Sequence, residues 1–217
     1  MFAFLPNRPE LPASLAATMR PVAMAASRSI GVGAPWDAVL PEGGLRRGTT
    51  ILVNGEVGAL TAACSLIALP TSRGHWAGLV GVDDPGVVAM ADLGVSLAHT
   101  LFLPRPRDAW VEATADLIDG VDLVVVRPPS RPAHGAARRL MARARERRVV
   151  LIVVSEPRSA WPVPADASIE ITHTQWRLGS TLRERQLSLL VSGRGAARRG
   201  DNVTLALPAR HGGAERR

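Results

Sequence analysis

Lysine is missing from this 217-residue chain: all 26 basic side chains are arginine. That removes a Schiff-base lysine, a Ser-Lys dyad and the phosphate-binding lysine of a P-loop. Tyrosine is missing too, and tyrosine-based acid catalysis with it. A single cysteine, Cys64, excludes an internal disulfide framework and any Cys-rich zinc site. The longest apolar stretch, Ala59 to Leu69, covers 11 residues and is broken by Thr61, Cys64 and Ser65. A bilayer span needs about 20, so no membrane helix is expected. The histidines (75, 99, 134, 173 and 211) lack ligand spacing such as i, i+4, and no metal or other cofactor is expected. No G-x-S-x-G element brings serine, histidine and aspartate together. The first residues, Met1 to Arg8, lack the basic-then-apolar layout of a secretion signal, so a cytoplasmic location is expected.

What is present is a chain with 47% apolar and 21% charged residues, enough for one globular domain with a core. Its formal net charge of +7 is uneven. Residues 1–100 carry 6 arginines and 7 acids, whereas residues 101–217 carry 20 and 12. A basic C-terminal half can attract nucleic acid or an acidic partner, and arginine usage of this kind also follows from GC-rich coding.

Residues 1–30 are rich in proline and alanine and read as an N-terminal arm, with a helix-compatible stretch from Pro12 to Ala26. There Leu11, Leu15, Met19 and Val22 form an apolar row that can dock on its own core, on a second copy or on a partner. The core reads as residues 31–207, and residues 208–217 as a flexible tail. Thr49–Asn54 is a β-prone run. A helix follows from Gly58 to Leu69 and is expected to stop before Pro70. Trp76–Val82 and Thr100–Leu103 are further strands. Between them a short helix is capped by Asp84 and stopped by Gly94. Asp108–Ile118 is a helix with Asp108 as cap. Asp122–Val126 and Val149–Val154 are apolar on both faces, as buried parallel strands are. They flank a helix, Ala133–Arg147, with Ala137, Leu140, Met141 and Ala144 along one stripe. Strands then follow without helices: Ser168–Thr174, Arg185–Ser192 and Asn202–Leu207. The class is α/β, a mostly parallel sheet flanked by helices with an antiparallel C-terminal extension.

In open α/β sheets ligands bind beyond the C-terminal ends of the strands. The first strand-loop-helix reads Ile51-Leu-Val-Asn-Gly55-Glu56-Val-Gly58-Ala59-Leu-Thr61. A P-loop needs four residues between its glycines, then lysine. Here two residues separate Gly55 and Gly58, Ala59 follows where lysine is required, and Glu56 repels phosphate. The strand that would end in a magnesium-binding acid ends in Arg127. Both failures predict that ATP is not hydrolysed. Asp83 and Asp84 follow a strand, but with no lysine and no metal acid they read as helix-capping residues.

The segment Leu40-Pro-Glu-Gly-Gly-Leu-Arg-Arg-Gly-Thr-Thr-Ile-Leu-Val-Asn-Gly55 resembles the entry to the core of RecA-type recombinases. Gly81-Val-Asp-Asp-Pro-Gly86, Leu93-Gly-Val95 and Val121-Asp-Leu-Val-Val-Val126 continue the resemblance in order. The DNA-binding loops of that family are reduced here to Arg127–Pro132 and to Ser155–Ala167. A RecA-like chain of this size without Walker residues resembles the ImuA family, in its actinobacterial ImuA-prime branch. That resemblance implies a non-catalytic accessory of the damage-inducible SOS response and mutagenic translesion synthesis. It implies binding to ImuB, a Y-family polymerase relative, and through it to an error-prone C-family polymerase, at the nucleoid when DNA is damaged. Three alternatives stay open: a DNA-binding RecA paralogue that modulates recombinase filaments, a residual nucleotide switch or ATPase, and a cell-division inhibitor. Candidate partner or DNA contacts are Arg139, Arg143 and Arg147 on one helix face and Arg194, Arg198 and Arg199 in a turn. Trp161, in a proline-rich connection, is a candidate interface anchor.

Overall fold

A computed structural model describes residues 28–177, 184–193, 201–207 and 215–216. The arm helix expected over Pro12–Ala26 lies outside the described residues. The chain enters through a two-residue strand, β1 (Ser29–Ile30), which pairs antiparallel with β2 (Leu45–Arg46). Between them α1 (Trp36–Val39) lays Trp36 into the core, where its indole Nε1 donates to Ser65 Oγ at 3.1 Å. Ile30 and Leu45 are both buried, so the core begins with β1.

The main sheet has nine strands. Its parallel part comprises β3 (Thr50–Asn54), β4 (Ala77–Val80), β5 (Thr100–Leu103), β6 (Leu123–Val126), β7 (Val150–Ser155) and β8 (Ala167–Arg177). β9 (Glu184–Gly193), β10 (Asp201–Leu207) and β11 (Glu215–Arg216) extend it antiparallel. The spatial order is β11-β10-β9-β8-β3-β7-β6-β4-β5. This is the mostly parallel sheet, flanked by helices and with an antiparallel extension, that the sequence led us to expect.

The helices α2 (Ala59–Ser72), α3 (Val87–Asp92), α4 (Trp110–Ile118) and α5 (His134–Arg147) connect the parallel strands. Alternation along the central strands divides the interior into two layers. Leu123, Val125, Val150, Ile152 and Val154 face α2, while Val124, Val126, Leu151 and Val153 face α4 and α5. Strands that bury both faces can be apolar throughout, which is why β6 and β7 read so clearly. α2 lies between the sheet and the entry segment and is buried almost all round, so its sequence has little amphipathic contrast.

Local expectations needed correction at four places. α2 does not stop before Pro70 but runs on to Ser72. Proline removes one backbone donor there. The hydroxyls of Thr71 and Ser72 satisfy the carbonyls of Ile67, Ala68 and Leu69 in the last turn. Asp84 does not cap α3; Gly86 holds that position, and Asp84 Oδ1 accepts from the Gly86 amide two residues on, at 3.2 Å. Gly94 does end α3: its amide reaches the Ala91 carbonyl and the Val95 amide reaches the Met90 carbonyl, with Met90 and Val95 both buried. Asp108 belongs to a single 3₁₀ turn, Arg107–Ala109, and caps nothing. The end of the expected tail carries β11, whose backbone pairs with Leu205 and Ala206. No helix among the described residues is long and apolar enough to cross a membrane.

Candidate functional site

The C-terminal ends of the parallel strands form one pole of the molecule, and the degenerate P-loop position lies there. β3 ends at Asn54, and the Gly55 amide donates to the Ser155 carbonyl at 3.2 Å. Gly58 caps α2 with φ of 92°, a left-handed conformation that favours glycine. The antiparallel extension closes on this loop. A Cβ at Gly55 would lie 3.0 Å from Ile171 Cβ, and one at Gly58 would lie 2.6 Å from Leu187 Cδ2. Leu187 is wholly buried. Apolar side chains of β8 and β9 therefore press directly on the two glycines that a P-loop would leave open to phosphate. Glu56 and Val57, between the glycines, are exposed. Ala59 begins α2 and is buried, so its side chain faces the interior.

Arg127 stands at the end of β6, where the sequence placed it. Its Nε and terminal nitrogen donate to Glu156 Oε1 at 3.0 and 2.5 Å. Glu156 in turn begins the 3₁₀ turn Pro157–Ser159 through a reciprocal capping box with Ser159. Arg127 is thus committed to an intramolecular ion pair. The pair borders a cleft of about 550 Å³ that also reaches Gly81, Asp83, Arg105 and Arg107. Asp83 and Arg105 are both well exposed and 4.0 Å apart, a pairing of little energetic weight. No three potential ligating groups converge on a cation position among the described residues.

The arginine face of α5 is partly engaged. Arg143 makes a two-pronged contact with Asp119, which follows α4, and Arg147 Nε lies 3.1 Å from the same carboxylate. The Arg143 hydrogen bond, with Arg147 beside it, holds the Asp119 carboxyl below its ordinary value. Arg143 and Arg147 therefore tie α5 to α4, with side chains that stay 40% and 53% exposed. Arg139 remains exposed along a groove between these helices. Trp161 is also corrected: only 8% of it is exposed, and it packs in the core layer under α4 and α5. Its backbone amide donates to Ser155 Oγ at 3.2 Å, which draws the proline-rich connection inward. Arg194, Arg198 and Arg199 lie outside the described residues.

Two clusters escaped the sequence reading. At the opposite pole Asp122 accepts from Arg47 at 2.9 Å and from the Trp76 amide at 3.1 Å, and His75 Nδ1 lies 3.3 Å away. Burial opposes the charge on Asp122, but these contacts outweigh it and hold the carboxyl below its ordinary value. The partners are distant in sequence, so only the neighbouring Val-Asp-Leu start of a strand hinted at this cluster. The second, Trp176 with Arg185, is formed by facing residues of β8 and β9. The guanidinium carbon stands 4.7 Å from the ring centroid.

The family described as the MT3502 N-terminal domain matches residues 38–163, from α1 through the connection after β7. The match takes in more than half of the chain, which therefore belongs to that family. The chain is also similar to the uncharacterized protein Rv3395c of Mycobacterium tuberculosis, with 39% identity over 111 residues. That alignment covers 49% of this chain and 54% of the relative, so the chain spans about half the length of the protein it matches.

Proposed function

We propose that this member of the MT3502 N-terminal domain family is a non-catalytic, RecA-like adaptor of the ImuA type in damage-induced translesion synthesis. Its partner is an ImuB-like relative of the Y-family polymerases, and through it an error-prone C-family polymerase. One observation supports this reading above the others: Ile171 and Leu187 occupy the approach to Gly55 and Gly58. A RecA-like core whose phosphate cradle is filled by its own apolar side chains has no room to cycle on nucleotide. It retains a rigid sheet with two loop-bearing poles. The pairing of Arg127 with Glu156 supports the same reading, because the position of the magnesium-binding acid is held by a neutralised cation.

The test is size-exclusion chromatography of the chain with the ImuB-like protein of the same organism, with and without ATP and magnesium. The expected result is a stoichiometric complex that is indifferent to nucleotide. Absence of a complex, or one that forms only with ATP, overturns the adaptor reading. The exposed arginines of α5, in a C-terminal half with 20 arginines and 12 acids, favour a second reading as a DNA-binding paralogue that modulates recombinase filaments. That reading requires DNA affinity that falls steeply with salt and no partner complex.

A further inference from the structure

Arg185 is a cation without a counter-charge among the described residues. It projects from β9 on the same pole as the glycine loop. One terminal nitrogen donates to Thr61 Oγ1, in the first turn of α2, at 3.3 Å, and its Nε is buried with no acceptor. Burial holds its pKa below the ordinary arginine value. The register sets Thr174 opposite Leu187 and Trp176 opposite Arg185, so these four share the face that looks toward α2. Thr174 Oγ1 is likewise buried and unpartnered. Stacking on Trp176 contributes attraction, but a ring face offers no acceptor for the buried Nε–H. Two exposed apolar side chains lie on these elements: Trp176 is 49% exposed and Val57, on the glycine loop beside the exposed Glu56, 50% exposed.

From this combination we infer that the Trp176–Arg185 corner is the partner-docking surface of the adaptor, and that it receives a partner segment carrying a carboxylate beside an apolar side chain. The carboxylate supplies the missing charge and acceptor to Arg185, and the apolar group covers Trp176 and Val57. Interface anchors are enriched in tryptophan and arginine, and a half-desolvated arginine loses less hydration on docking than an exposed one. A peptide carboxylate fits better than a nucleotide phosphate. Leu187 and Ile171 fill the loop that would hold a phosphate chain, and Glu56 on that loop repels phosphate further.

The inference rests on the adaptor reading, and the experiment separates the two. The dissociation constant for the ImuB-like protein is measured for the wild type and for Trp176→Ala, Arg185→Glu and Val57→Asp, alongside the melting temperature of each. The expected result is binding at least tenfold weaker for all three, with melting temperatures close to wild type. An acid-to-arginine change in the partner segment should restore binding to Arg185→Glu. Wild-type affinity in Trp176→Ala and Val57→Asp, both at exposed positions, overturns the docking surface and leaves the adaptor reading standing. Displacement of the partner by ATP or inorganic phosphate would assign Arg185 to phosphate and also overturns it. Failure of the wild type to bind removes the adaptor reading and this partner together.

Discussion

Asp122 and Arg47 are about one-tenth exposed and pair at 2.9 Å. Asp122→Asn removes the charge that Arg47, His75 and the Trp76 amide converge on. Loss of one partner of a buried pair costs about 3–5 kcal/mol, and for a chain of this size each kcal/mol lowers the melting temperature by about 2–4 °C. Urea unfolding of the variant at neutral pH checks the first figure. The pH dependence has a defined sign. The folded Asp122 carboxyl titrates below its unfolded value, so its stabilisation is complete above that unfolded value. It is lost as pH falls through the folded value, and Asp122→Asn should flatten that acid limb. Cys64 offers a contrasting residue. Burial pushes its thiol up to about 12, so almost no thiolate exists at neutral pH. A thiol reagent should leave the native protein unmodified and label it stoichiometrically once it is denatured.

Elements explain why Gly58 tolerates no side chain. Gly58→Ala combines a left-handed backbone, which costs an L-residue about 1–2 kcal/mol, with a Cβ placed 2.6 Å from a buried leucine methyl. A loss of about 2–4 kcal/mol is expected in urea unfolding, with overpacking supplying the remainder. Adding Leu187→Ala should recover part of that loss, a non-additive pair that would confirm contact between the loop and β9. The α4–α5 junction is a milder case. Asp119 is one-third exposed, so a double-mutant cycle with Arg143 should give only about 0.5–1 kcal/mol. The same elements mark how far the sequence could be read. β6 and β7 were legible because strands buried on both faces show it in composition. The departure of Gly55–Ala59 from the P-loop pattern was legible because it is local. The plugging of that loop was not, because Leu187 lies far along the chain and its target is set by pairing register. Trp161 and Trp176 were likewise indistinguishable in sequence. Trp161 is drawn inward by the Ser155 hydroxyl, while Trp176 lies near the end of a long strand, and burial of that kind belongs to tertiary structure.

At the scale of the whole molecule, the parallel half of the sheet builds two poles and the antiparallel half closes one of them. A ligand that binds only the folded state raises its stability by mass action. ATP with magnesium should therefore leave the melting temperature unchanged, and a concentration-dependent rise would reopen a nucleotide site. Closure of the loop also bears on what single substitutions can reach. Restoring a lysine at Ala59 would place a cation against packed methyl groups with no phosphate route to it. A working phosphate and magnesium site would further require withdrawal of Leu187 and Ile171, two more residues in the loop, and an acid in place of Arg127. Each of those steps alone opens a cavity, lengthens a loop without benefit or strands Glu156. The closed loop is therefore ratcheted: selection acting one substitution at a time toward a phosphate site meets a less stable protein at every first step.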